Sequence, residues 1–179
     1  MVQFWQMPNE SQRDKKDRFK GDELRVRELM EKCIDTRALP NTLITIAIQI
    51  LNENGSLLSC ILNGATLALI DSGIPMLYTP CSSSVALLEY NSNYQLKSDL
   101  FQHQLIKWPI LEQEKKSYST STVTFTNVDL DAVVFMNMVG EQILEETIMN
   151  QIFGLAREGA KEFIEHAKES LMKKPDFSR

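Results

Sequence analysis

The sequence predicts an α+β fold, with helices packed on one or both sides of a mostly antiparallel sheet, and three observations predict it. Ile44, Ile46, Ile48 and Ile50 alternate with Leu43, Thr45, Ala47 and Gln49, the period-two pattern of a strand. Residues 57–72 place apolar side chains around nearly the whole circumference of a helix, the pattern of a central, buried element. Ile148, Ile152, Leu155, Ala156, Gly159, Phe163, Ala167 and Leu171 recur at three- and four-residue spacing, predicting a long amphipathic helix that stops before Pro175.

The elements follow in order. Val2, Phe4 and Gln6 fall on one side of an extended start and Gln3, Trp5 and Met7 on the other, so the chain opens with a strand that Pro8 ends. Residues 9–20 interleave Arg13, Lys15, Lys16, Arg18 and Lys20 with Asp14 and Asp17 and predict an exposed charged loop. Asp22 to Asp35 then reads as an amphipathic helix through Leu24 or Val26, Leu29 or Met30, and Cys33 or Ile34, with acids in the first turn. The strand at 42–51 follows Pro40 and is expected to be buried on both faces. Asn52 to Gly55 forms a turn, Ser56 is an N-cap candidate, and Gly73 and Pro75 end the central helix. Gly64, Ala65 and Ala68 are expected to let that helix pack closely on a sheet. Residues 80–89 predict a strand through Val85, Leu87 and Leu88, and a weaker one surrounds Tyr94 to Leu96. Residues 97–119 hold no sustained period and are expected to be an insertion or loop. Thr120–Asn127 and Ala132–Met138 form a hairpin, and the long helix closes the chain, giving a single domain over residues 1–179.

Composition narrows the chemistry. With 179 residues, 43% of them hydrophobic, the chain holds one sizeable core, and Thr45, Gln49, Asn63 and Asp71 interrupt any run long enough to span a membrane. No signal peptide is predicted at the start. A formal charge of −5 argues against a surface that grips nucleic acid everywhere, so any RNA contact is local or shared with partners. Cys33, Cys60 and Cys81 are odd in number and widely spaced, which predicts reduced, buried thiols and a cytosolic or nuclear compartment. His103 and His166 lack cysteines or acids at ligand spacing, so no metal and no other cofactor is expected. Cys60 has no histidine placed to activate it, and Ser82 to Ser84 lack the glycines of a nucleophile elbow.

The segment Asn54-Gly-Ser-Leu-Leu-Ser-Cys-Ile-Leu-Asn-Gly-Ala-Thr-Leu-Ala-Leu-Ile-Asp-Ser-Gly-Ile-Pro-Met76 resembles the central helix of RNase PH-like proteins. Leu39 to Leu51 resembles that family's preceding strand, Lys20 to Arg27 its preceding helix start, and the final helix also fits. The resemblance runs strongly over residues 20–76, weakly over 77–119 and at the level of pattern beyond. It implies the RNase PH-like layered β-α-β-α fold. Family members carry several strands before the position matching Phe4 and Trp5, so the resemblance also implies an N-terminally shortened chain, or an edge completed by a partner.

Gly55-Ser-Leu-Leu58 is most similar to a ring subunit of the eukaryotic RNA exosome whose loop carries leucines where phosphorolytic members carry a polar pair such as Thr-Arg. Phosphorolysis brings phosphate beside an RNA phosphodiester and needs cations to stabilise the charge, which Leu57 and Leu58 cannot supply. Active members also hold paired Asp residues, whereas Tyr94 to His103 offers Asp99 alone. The resemblance therefore implies no catalytic residue and a non-catalytic ring subunit supporting 3′ to 5′ RNA processing and degradation, including rRNA processing. Its partners would be other RNase PH-like ring subunits, its location the nucleus, nucleolus and cytoplasm. Lys15, Lys16, Arg18 and Lys20 are the candidate RNA contacts, set against a plain solvated loop. Two other functions remain open: a phosphate-dependent 3′ to 5′ exoribonuclease, and a general RNA-binding or interaction domain of the layout found in some ribosomal proteins.

Overall fold

The structure is a computed structural model that describes residues 2–4 and 13–19 as backbone, and residues 20–88, 104–141 and 146–173 with their side chains. The predicted strand at Tyr94 to Leu96 lies outside the described residues.

A short strand β1 (Val2–Phe4) and a long helix α1 (Arg13–Cys33) open the chain. The helix starts well before Asp22, so residues 13–20, expected as a charged loop, are helical instead. Arg and Lys are good helix formers even without an apolar stripe, and Gly21 continues the helix at a cost of about 1 kcal/mol relative to Ala. The inward stripe is Val26, Leu29, Met30, Cys33 and Ile34, while Leu24 faces solvent.

Strand β2 covers only Ile46–Ile48, against the predicted 42–51, and is not buried on both faces. It pairs in parallel with β1, Val2 opposite Ile46 and Phe4 opposite Ile48. Among the described residues the ladder holds Ile46, Ala47 and Ile48 alone, and Leu43 and Leu51 stay 75% and 86% exposed.

Helix α2 (Leu57–Asp71) is the central helix. Its end is a Schellman motif: the Gly73 and Ile74 amides donate to the Ile70 and Leu69 carbonyls, and Gly73 takes a φ of 69°. A bridge between Ile34 and Met76 ties this exit to the end of α1. Leu58, Ile61, Leu62, Ala65 and Leu69 join the α1 stripe and Ile46 in one core, flanked by Val134 and Phe135. Ala65 packs as expected, whereas Gly64, Ala68 and Cys60 face outward. A methyl group at Gly64 would meet nothing within 4 Å.

The main sheet is antiparallel, in the order β4 (Gln104–Lys107), β3 (Pro80–Leu88), β5 (Ser117–Thr126), β6 (Val133–Gly140). The predicted β5–β6 hairpin is present, its turn closed by Thr126 Oγ1, which accepts from the Asp129 amide and donates to the Asp129 carbonyl. Of residues 97–119, expected as an insertion or loop, 97–103 lie outside the described residues, and 104–119 instead contribute β4, a short helix α3 (Leu111–Lys116) and the start of β5. Strand β4 and helix α3 are too short to show a period.

Successive residues of β3 and β5 face opposite sides of the sheet. Cys81, Val85, Leu87, Val123 and Phe125 pack under α4 (Glu146–Met172) with Ile148, Ile152, Ala156 and Ala160. Gly159 lets α4 lie close on β3, because a methyl group there would come within 2.9 Å of Ser83 Cβ. The opposite face, toward α2, is polar and hydrogen-bonded: Ser82 Oγ with Thr124 Oγ1 at 2.8 Å, Ser84 Oγ with Thr122 Oγ1 at 3.0 Å, and Ser84 Oγ donating to Ser59 Oγ at 2.9 Å. Asn63 bridges α2 to β3 with both ends of its amide, donating to the Ser82 carbonyl at 2.9 Å and accepting from the Ser82 amide at 2.8 Å.

Candidate functional site

A cleft of about 670 Å³ opens at the N-terminus of α2. Leu57 and Leu58 of the first turn line it, with Gly21, Asp22 and Arg25 of α1, Ser84 of β3, Ser117, Thr120 and Thr122 of β5, Asn137 of β6, and Leu111, Glu114 and Lys115 of α3.

The turn that enters α2 is tightly fixed. Gly55 has a φ of 89°, and a side chain there would strike the backbone of Pro109, Ile110 and Leu111. Ser56 is also left-handed, with a φ of 51°, and does not cap the helix with its hydroxyl as expected. That hydroxyl donates instead to the Pro109 carbonyl at 2.9 Å, and the Ser56 amide donates to the Glu114 carboxylate at 2.7 Å. The Leu111 amide donates back to the Asn54 carbonyl at 3.1 Å. A carboxylate therefore sits at the positive end of the α2 dipole, a favourable placement for its charge.

The chemistry of the cleft is mostly neutral and hydrogen-bonding. Among the described residues its cations are Arg25, paired with the largely buried Asp22 at 3.0 Å, and the exposed Lys115. The leucines present methyl groups where the helix start would otherwise favour an anion. Such a surface suits hydroxyl and amide contacts with a polar ligand.

Of the residues singled out in the sequence, Leu57 and Leu58 line this cleft. Lys15, Lys16, Arg18 and Lys20 lie along α1, on the helix that carries Gly21, Asp22 and Arg25 into the cleft, and Lys20 is exposed. Asp99 and His103 lie outside the described residues. Among the described residues no group of three or more histidines, cysteines or acids is placed to hold a metal ion. Cys33 and Cys81 are buried, and burial pushes their thiols up to about 11 and about 12; Cys60, expected in the core, is exposed. The sequence reading did not single out Asp22, Arg25, Glu114, Lys115 or the Ser/Thr lining for this site. The alternating hydroxyls of residues 117–126 and the i, i+3 spacing of Asp22 and Arg25 were the available signals.

Comparisons with known proteins bear on this geometry. Residues 4–75 match the model of the RNase PH 3′ exoribonuclease family, domain 1. The chain is 32% identical over 173 residues to an exosome complex component RRP41 homolog of Arabidopsis thaliana, covering 96% of this chain and 64% of that protein. It is 27% identical over 149 residues to the exosome complex component ski6 of Schizosaccharomyces pombe, covering 78% of this chain and 61% of that one. The chain thus spans less than two thirds of the length of these relatives. The crystal structure of rice (Oryza sativa) Rrp46 superposes with a TM-score of 0.76 at 19% identity, over 96% of this chain and 72% of the other. The α+β fold is thus the RNase PH-like one shared with rice Rrp46, and residues 4–75 match domain 1 of the RNase PH 3′ exoribonuclease family.

Proposed function

We propose that the chain is a non-catalytic subunit of an exosome ring, supporting 3′ to 5′ RNA processing and degradation beside other RNase PH-like subunits. The observation that carries this reading is the pair Leu57 and Leu58 at the mouth of the α2 cleft, where phosphorolysis needs cationic or polar side chains. The names of the matched relatives, exosome components in both plant and yeast, support the assembly half of the reading. RNA would meet the chain locally, through Lys15, Lys16, Arg18 and Lys20 of α1, and the ring would work in the nucleus, nucleolus and cytoplasm.

The test has two arms. A tagged chain expressed in its own cells should recover other RNase PH-like subunits, and repeated recovery of none of them would end the assembly claim. Purified chain given single-stranded RNA and inorganic phosphate should release no nucleoside diphosphate.

A second reading, a phosphate-dependent exoribonuclease, is favoured by Arg25 and Lys115 on the cleft wall. Release of nucleoside diphosphate that stops on Arg25→Ala or Lys115→Ala would establish it in place of the first.

A further inference from the structure

The N-terminal turn of α2 is held by a segment remote in sequence. Asn54 and Ser56 give it three hydrogen bonds, to Leu111, Pro109 and Glu114, and Gly55 packs on its backbone. The same segment supplies Leu111, Glu114 and Lys115 to the wall of the cleft. Whatever fixes residues 107–114 therefore fixes both the turn and the opening.

The entry to this segment is strained. Trp108 has a φ of 54°, a backbone conformation disfavoured for a bulky aromatic residue, which persists only where surrounding contacts hold it. Its amide donates to the Ser84 carbonyl at 2.9 Å, anchoring it to β3. The other hold comes from α4: Lys107 Nζ donates to Glu162 Oε1 at 2.6 Å, and the Trp108 indole donates to Glu162 Oε2 at 3.4 Å. One carboxylate thus grips two consecutive side chains just before the segment crosses the α2 turn. Glu162 is half exposed while Lys107 is mostly covered, so the grip sits at the protein surface and is open to exchange with solvent.

We infer that Glu162 is a positioning residue: a latch on α4 that holds residues 107–114 over the N-terminal turn of α2 and so couples the opening of the cleft to α4. The device acts on the shape of the cleft and holds whether or not the chain is catalytic.

Amide hydrogen exchange on the full chain tests it. In Glu162→Ala, the Ser56 and Leu111 amides, both bonded across the segment, should exchange about two- to fivefold faster, the scale of an exposed charged pair. Amides inside the β3–β5 ladder should keep their rates. Exchanging the charges, Lys107→Glu with Glu162→Lys, should restore part of the protection that either single change removes, the share of the ion pair, because a lysine at 162 cannot accept from the Trp108 indole. Unchanged rates at Ser56 and Leu111 in Glu162→Ala, or a uniform rise across the sheet, would overturn the latch. So would a charge exchange that recovers nothing, since the effect would then belong to α4 itself.

Discussion

Replacing Asn63 with alanine tests how α2 is locked to the sheet. Strand β4 pairs with β3 only from Val85 to Leu88. On its other side Ser82 faces Thr124 of β5, so at Ser82 the Asn63 amide stands in for the strand that β4 does not provide. Both Ser82 and Asn63 are buried. The change to alanine removes two hydrogen bonds and leaves a buried N–H and a buried C=O without partners, each costing about 1–3 kcal/mol. Partial entry of water into the space would reduce the sum, so we expect a loss of about 3 kcal/mol. With a urea dependence of about 2 kcal/mol per molar, the midpoint followed by far-UV circular dichroism should fall by about 1.5 M at unchanged slope. A fall below about 0.5 M would refute the reasoning, because the amide would then be no more than an incidental contact. Asn63→Asp sharpens the test. Its carboxylate can still accept from the Ser82 amide, but the charged form faces the Ser82 carbonyl. Its folded-state pKa should rise, so this variant should lose stability as pH rises through the carboxylate range.

Three further outcomes follow from the same structure. Two glycine-to-alanine changes should have opposite signs: Gly64→Ala, mid-helix with open space around it, should stabilise by about 0.5–1 kcal/mol, whereas Gly55→Ala, left-handed and against backbone, should destabilise by at least about 2 kcal/mol in urea melts. An aromatic disulfide reagent should label Cys60 at once in the folded chain, and reach Cys33 and Cys81 only when denaturant is added. Those two buried thiols also set an alkaline limit. Their folded pKa values, raised from 9.0 to about 11 and about 12, mean that the native state holds protons the unfolded state has lost. Their contribution is complete below about pH 9 and disappears as pH climbs toward 12, so urea midpoints should fall between pH 8 and pH 10.5, and less steeply in a Cys33→Ala, Cys81→Ala variant.

What could be read from the sequence depended on how long each pattern runs. The α2 and α4 helices each sustain an apolar pattern over several turns, and β3 and the β5–β6 hairpin sit between clear turn signals, so all were legible. The start of α1 was not, because residues 13–20 are charged on every side and give no stripe to count. The isoleucine run at 44–50 misled for a different reason. Alternation reports that a segment can form a strand, but the length it reaches depends on the partner, and among the described residues β1 offers three. The cleft followed the same rule. Leu57 and Leu58 were visible because they interrupt a pattern expected to be polar. Glu114 was hidden, because its role comes from a contact with Ser56 across 58 positions of sequence that no local period records.

The hydroxyl pairs between β3 and β5 make an otherwise ambiguous sheet choose one alignment. Both strands are rich in serine and threonine, and such strands slide easily when their faces differ little. Here a slip of β5 by one residue would turn Thr122 and Thr124 under α4, beside Val85 and Ile152, where their hydroxyls would find apolar neighbours, and would carry Val123 and Phe125 to the α2 face. A slip of two would keep the faces but part Ser82 from Thr124 and Ser84 from Thr122. Replacing Thr122 and Thr124 with valine and Ser82 and Ser84 with alanine would nearly keep the volume and remove that distinction, so such a sheet should pair in more than one way and show doubled backbone resonances in β3 and β5.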